Sequence, residues 1–246
     1  MTRQGETGHA KNMANFETLI TTVTGYGITY NPSKSALKLL ALQTLETNAK
    51  TTFDAVKIAF ALYHASVAAR ESAFSPVSKL MTRVLGAVKA LDTIQQIDDN
   101  VKALVHKIQG TSTKRGSTVA TKQTTTTEVS TTKQNSTIQM SFDTRLENLD
   151  KLIKLLNGIP LYVPNEEDIK IETLTALYND LKAKNTAVIT SSVALSNARI
   201  ARDKVFYKDD TGLFDIAVSV KNYVKSVFGA STPQYKQVSR LVFKSY

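Results

Sequence analysis

The chain has 246 residues, 42% of them apolar, no Cys, no Trp and a formal net charge of +10. The apolar content suffices for a sizeable core, and the lack of cysteine excludes a disulfide framework, a thiolate metal site and a cysteine nucleophile. The first twelve residues are polar, and no stretch reaches the roughly 18 uncharged apolar residues of a membrane span. No secretory leader and no transmembrane segment is therefore expected, and the expected location is cytoplasmic.

In chain order, residues 1–13 read as a disordered polar tail. A short helix is predicted from Ala14 to Thr24, with Phe16, Leu19, Ile20 and Val23 on one face. Gly25-Tyr26-Gly27 ends it, and Asn31-Pro32 leads to Ser33, a suitable N-cap. A long helix follows over about Lys34–Ala73, uninterrupted by Gly or Pro. Its seam is Leu42, Leu45, Ala49, Thr52, Val56, Ala59, Tyr63 and Ser66, a 3-4 alternation of heptad type. A second line, Phe53, Phe60 and Val67, widens the stripe beyond a two-stranded coil and points to a bundle. About 40 residues at 1.5 Å rise span roughly 60 Å, so an elongated molecule is expected. Ser75 reads as a cap with Pro76 at the first helical position, opening one helix over Val77–Ile108 that Gly110 stops.

Residues 111–137 hold eleven Thr and four Ser. Such a segment buries too little apolar surface to offset chain entropy and reads as a linker, taken to extend over 111–141. Threonine is also β-prone, so a polar ribbon pairing Ser117–Thr121 with Glu128–Thr132 is the alternative.

From Phe142 the chain repeats itself. Asn148-Leu-Asp-Lys-Leu-Ile153 matches Asn15-Phe-Glu-Thr-Leu-Ile20, and Tyr162 and Pro164 match Tyr30 and Pro32. A helix is predicted to Leu156. After a turn over Gly158–Pro164, Asn165 reads as the cap of a second long helix to Phe206, with Glu166, Glu167 and Asp168 at its positive end. Its seam is Leu174, Leu177, Leu181, Lys184, Val188, Ser191, Leu195 and Ala198, each 132 positions after its counterpart. The loop Asp209–Gly212 is four residues longer than in the first repeat. A helix through Val220, Val224 and Val227 runs to Phe228, and Thr232-Pro233 starts a final short one whose Val238–Val242 echoes Val101–Val105. The expected fold is thus an all-α bundle made by tandem duplication of a helix–long helix–helix unit, one repeat at 14–110 and one at 142–246.

Site chemistry is sparse. The only histidines, His9, His64 and His106, have no metal-ligand spacing, and no Glu-x-x-His pair, phosphate-cradling loop or nucleophile elbow occurs. No catalytic, metal or cofactor site is assigned, and no small-molecule substrate is expected. Arg70-Glu71 and Arg202-Asp203 recur at corresponding places near the ends of the long helices. They read first as complements of the helix dipole and second as interaction residues. The C-terminal stretch mixes bases with Tyr223, Phe228, Tyr235 and Phe243. These aromatics read as helical core, or as nucleobase-stacking groups, with Tyr235, Lys236, Arg240 and Lys244 as interaction candidates.

Within that stretch, Val224-Lys-Ser-Val-Phe-Gly-Ala-Ser-Thr-Pro-Gln-Tyr-Lys-Gln-Val238 resembles the C-terminal signature of a group of uncharacterised helical proteins from Bacteroidetes bacteria. In that group the signature is followed by Ser-Gly-Leu and an aromatic; here Arg240 replaces the glycine. The resemblance spans about Ala198–Phe243, implies a bacterial source and implies no function. The leading expectation is a non-enzymatic structural or interaction protein that self-associates through its long helices. Alternatives are a basic nucleic-acid-associated protein, expected to bind an anionic polymer, and a membrane-active bundle.

Overall fold

The computed structural model describes residues 6–110 and 141–245. The linker-or-ribbon question at 111–137 lies outside the described residues. Among those residues all regular structure is helical and no strand occurs, as an all-α bundle requires. The elements are α1 (Glu6–Thr24), α2 (Leu39–Phe74), α3 (Val77–Lys89), α4 (Gln95–Gln109), α5 (Phe142–Asn157), α6 (Ile171–Tyr207), α7 (Leu213–Phe228) and α8 (Pro233–Ser239).

Several expected boundaries are corrected. Residues 6–13 are not a tail: α1 begins at Glu6, and His9 and Asn12 are each 2% exposed. Their partners, Tyr207 and Lys244, lie about 200 positions along the chain, so local composition could not show them. Neither Ser33 nor Asn165 caps a long helix. In their place a 3₁₀ turn at Ser35–Leu37, and another at Glu167–Ile169, is followed by an extended residue (ψ 147° at Lys38, 151° at Lys170) before α2 and α6 begin. In each repeat a buried tyrosine clamps that turn. Tyr30 Oη donates to the Leu37 carbonyl and Tyr162 Oη to the Ile169 carbonyl, both at 2.8 Å. Ser75 makes no cap; Pro76 occupies that position with helical backbone.

The helix expected over Val77–Ile108 is two helices. Gln109 Nε2 donates to the Ser78 carbonyl and to Thr82 Oγ1, both at 2.9 Å, so the end of α4 lies beside the start of α3. Folding back lets Val84 and Val88 share one core with Val101, Val105 and Ile108, which a straight helix could not do. Gly110 stops α4 in a left-handed conformation (φ 71°), its N–H bonded to the carbonyls of His106 and Lys107. Thr232 does cap α8, accepting from the Tyr235 N–H, with Pro233 in its first turn.

The chain divides into two compact units, and neither is one sequence repeat. The first, Met1–His64 with Ser191–Tyr246, contains α1, α7 and α8 with the adjoining parts of α2 and α6. The second, Ala65–Thr190, contains α3, α4 and α5 with the remaining parts of α2 and α6.

Each unit therefore takes its short helix from one repeat and its closing helices from the other. The core of the first unit holds Phe16, Leu19, Ile20, Val23, Phe206, Leu213, Val220 and Val224. The core of the second holds the counterparts Leu149, Leu152, Ile153, Leu156, Phe74, Val77, Val84 and Val88. The echo of Val101–Val105 at Val238–Val242 is partial: Val238 is fully buried like Val101, but Val242 is exposed where Val105 is buried.

Candidate functional site

The six residues singled out by sequence fall into two settings. Arg70 and Arg202 are structural side chains of their units. Arg70 lies 3.9 Å over the Phe142 ring, and its Nη1 donates to Asn185 Oδ1 at 3.0 Å. Asn185 Nδ2 in turn reaches Asp143 Oδ1 at 2.7 Å. A guanidinium over a ring, hydrogen-bonded through Nη1, is well placed for cation–π attraction, while its buried Nε makes no hydrogen bond. Arg202 is only 4% exposed, and its Nε and Nη2 donate to Asp203 Oδ1 at 2.9 and 2.8 Å. Arg70 thus links α2 to α5 and α6, whereas Arg202 is paired with its neighbour on α6.

Tyr235, Lys236, Arg240 and Lys244 all belong to the C-terminal part of the first unit. Tyr235 lies on α8, half-buried, with Lys225 Nζ 5.9 Å from its ring centroid. Lys236 and Arg240 are exposed. Lys244 points its charge to solvent while its backbone is held by Asn12: Asn12 Nδ2 donates to the Lys244 carbonyl at 2.7 Å, and the Lys244 N–H donates to Asn12 Oδ1 at 3.1 Å. Beneath them Lys221 Nζ donates to the Leu241 carbonyl and sits 5.1 Å from the Phe243 ring centroid. Burial lowers its pKa, since the charged form loses hydration. Tyr26 joins α1 to this face through the Gln234 carbonyl at 2.8 Å and a ring contact with Phe228 at 5.0 Å.

Between α1 and α8 runs a groove of about 510 Å³, bounded by Thr18, Thr21, Thr22, Gly25, Tyr26, Gln237 and Arg240. The hydroxyls of Thr18, Thr21 and Thr22 donate to carbonyls four residues back, so they face the groove as acceptors. Arg240 is the one cation among the lining residues, and no carboxylate or imidazole lines the groove. Among the described residues no group of three or more metal-ligating side chains is assembled, and no helix is long and apolar enough to cross a membrane.

Sequence reasoning missed His9 and Asn12. His9 Nδ1 is hydrogen-bonded to Tyr207 Oη at 2.7 Å and its ring meets Phe206 edge-on at 5.8 Å. The repeat carried the signal: the 133-residue offset maps His9 onto Phe142 and Asn12 onto Arg145, both inside a helix. Aromatic assignment in the C-terminal stretch went to packing. Phe228, Tyr223, Tyr235 and Phe243 all pack against the first unit's core. A scan of protein-family models, a search of curated proteins and a search of solved structures each found no match to this chain.

Proposed function

We propose that the protein is a non-enzymatic helical scaffold that self-associates through the exposed faces of its long helices. One observation supports this reading: the middle of α2 carries a run of large apolar side chains open to solvent. Ile58 is 63% exposed and Leu62 61%, on one face at i, i+4, with Phe60 nearly half exposed between them. On α6 the pair Ile189 and Val193, again at i, i+4, and Ile200 are each more than half exposed. Single exposed apolar residues are ordinary, whereas a stripe at helical spacing marks a contact face. A stripe on a long helix suits pairing with the same stripe of another copy.

Sedimentation across a wide concentration range tests this. The expected mass is a multiple of 27.0 kDa, reduced to the monomer by Ile58→Lys with Leu62→Lys at unchanged helix content. A wild-type protein that stays monomeric at the highest concentration removes the proposal.

A second reading rests on a different observation. From Ile216 to the C-terminus there are five Lys and Arg and no Asp or Glu, and Lys236, Arg240 and Lys244 of these are exposed. Such a one-signed surface attracts a polyanion. It predicts binding to generic DNA or RNA that weakens steeply with salt and is lost when these three are changed to Gln. Absence of binding at low salt eliminates it.

A further inference from the structure

The two repeats differ at a packed position that faces the clamped tyrosine turn. An offset of 136 aligns α3 with α7, superposing the buried pairs Val77/Leu213, Met81/Ala217, Val84/Val220 and Val88/Val224. The same offset sets Ala87 of the first repeat against Tyr223 of the second. In the first unit the Tyr223 ring stands edge-on to Tyr30, centroids 5.3 Å apart at 87°. Its Oη accepts the Asn31 N–H at 3.2 Å, and Pro32 beneath is buried.

In the second unit the methyl of Ala87 leaves that place empty. The result is a cavity of about 430 Å³ whose walls include Ala87, Leu91, Tyr162, Pro164 and Ile169. Pro164, the counterpart of Pro32, is only half covered. The volume lies within the range of small-ligand pockets, with apolar walls and a few polar groups at the mouth. Those groups are Asn165, Glu166 and Arg83. Arg83 is already paired with Asp168, and Glu166 adds a further negative charge, so the rim does not select an anion.

We infer that this cavity is a binding site for a small neutral phenol, whose ring takes the place that Tyr223 fills within the chain in the other unit. The ring would meet Tyr162 edge-on, the favoured arrangement for aromatic pairs. Its hydroxyl would find hydrogen-bonding partners at the polar mouth, and its remaining faces would cover Pro164 and Leu91. The second repeat supplies the internal precedent for its shape.

The test is titration of the full chain with p-cresol, which is the tyrosine side chain as a free molecule, read by amide chemical shifts. Saturable shifts confined to residues 83–91 and 160–169, with half-saturation between about 0.1 and 10 mM for a ligand of this size, are expected. Toluene, lacking the hydroxyl, should bind at least about threefold more weakly. Ala87→Tyr should abolish the shifts by filling the cavity. Tyr223→Ala should open a second p-cresol site at residues 30–37.

Absence of saturable shifts in the wild-type protein overturns the assignment, as does equal binding by Ala87→Tyr or toluene binding as tight as p-cresol. N-acetyltyrosinamide binding more tightly than p-cresol would assign the ring to a polypeptide and overturn the small-molecule reading. If Ala87→Tyr does not fold, the wild-type titration with the toluene comparison decides alone. None of these readouts depends on the oligomeric state.

Discussion

Asn12 offers the sharpest check on the fold, because composition places it in a tail and the structure places it in a core. Its side chain is 2% exposed and makes three hydrogen bonds: to the Lys244 carbonyl at 2.7 Å, from the Lys244 N–H at 3.1 Å and to Tyr207 Oη at 3.3 Å. Asn12→Ala removes all three. Each is worth roughly 1 kcal/mol net. Tyr207 Oη keeps its bond to His9, and Lys244 lies near solvent, so water recovers part of the loss. The expected cost is about 2–3 kcal/mol.

Asn15, one turn on, makes a single exposed bond, 2.8 Å to the Val242 carbonyl. Asn15→Ala should therefore cost no more than about 1 kcal/mol. Urea unfolding separates the two. With a slope of about 3 kcal/mol/M for a chain of this size, the difference moves the midpoint by roughly 0.5 M. Hydrogen exchange should show amide protection at residues 242–244 falling in Asn12→Ala and barely changing in Asn15→Ala. If Asn12→Ala lies within about 0.5 kcal/mol of wild type, or costs no more than Asn15→Ala, then the docking of α1 onto the C-terminal chain is wrong.

Other consequences concern the tyrosine clamps and two glycines. Burial pushes the Tyr162 hydroxyl up to about 12, with Asp168 and then Glu166 adding to the shift. Burial pushes Tyr30 up as well, with Tyr223 contributing. The folded state thus holds these protons more tightly than the unfolded chain, and the stabilisation is complete below pH 10 and lost as pH rises towards 12. For Tyr162 this amounts to at most about 3 kcal/mol; the urea midpoint should fall over that window, less so in Tyr162→Phe, with tyrosinate absorbance tracking the loss. Tyr30→Phe and Tyr162→Phe should each cost about 1–2 kcal/mol at neutral pH, and by similar amounts, because both delete the same 2.8 Å bond. A Cβ on Gly212 would sit 2.7 Å from the Lys208 backbone N and O and 2.9 Å from the Phe206 carbonyl. Gly212→Ala should therefore cost more than about 2 kcal/mol in thermal unfolding, whereas Gly86→Ala, inside α3 with open space around it, should gain about 0.5–1 kcal/mol.

The duplication was legible because its apolar positions carry the signal directly. Phe16, Leu19 and Ile20 recur as Leu149, Leu152 and Ile153, and all six are core residues. Spacing alone located the face of α1 and, at Val220 and Val224, that of α7, whereas Val227 is 39% exposed. The same reasoning holds on α6, where Leu174, Leu181, Val188 and Leu195 of the seam are buried, and falls short on α2. Leu42, Ala49 and Val56 are buried, but Ala59, Tyr63 and Ser66 are only half covered; periodicity records which face is apolar, not what lies against it. It also failed between α3 and α4. Leu91, Ile94 and Ile97 continue the apolar pattern across the turn, yet Ile94 is largely exposed. There the advantage of folding two valine faces onto one core outweighs local helix preference. Of the candidate site, Lys236, Arg240 and Lys244 were identifiable as an acid-free basic run. The arginine pairs were not interpretable, because Asn185 and Phe142, the partners of Arg70, lie more than 70 positions away.

The polar differences between the repeats form matched sets within each unit, which is what separates divergence from drift. In the second unit Phe142 stacks under Arg70 and meets Phe74 edge-on at 4.8 Å, while Ser75 occupies the place of Tyr207. In the first unit His9 replaces Phe142, and Tyr207 supplies the hydroxyl that the imidazole requires. Arg202, the counterpart of Arg70, is satisfied by its neighbour Asp203. The pattern recurs one turn along. Arg145 Nε donates to the Ile108 carbonyl at 3.0 Å, and its replacement Asn12 holds the backbone of Lys244; each joins the short helix to the end of the closing segment with side chains of different length. Where the apolar Phe142 is the polar His9 in the other unit, the residue at the place of Ser75 is Tyr207, its hydrogen-bond partner, as the cost of an unpaired buried polar group demands. Ala87 breaks this pattern: its counterpart Tyr223 is packed and hydrogen-bonded, and the second unit supplies no side chain to fill the place the ring would occupy.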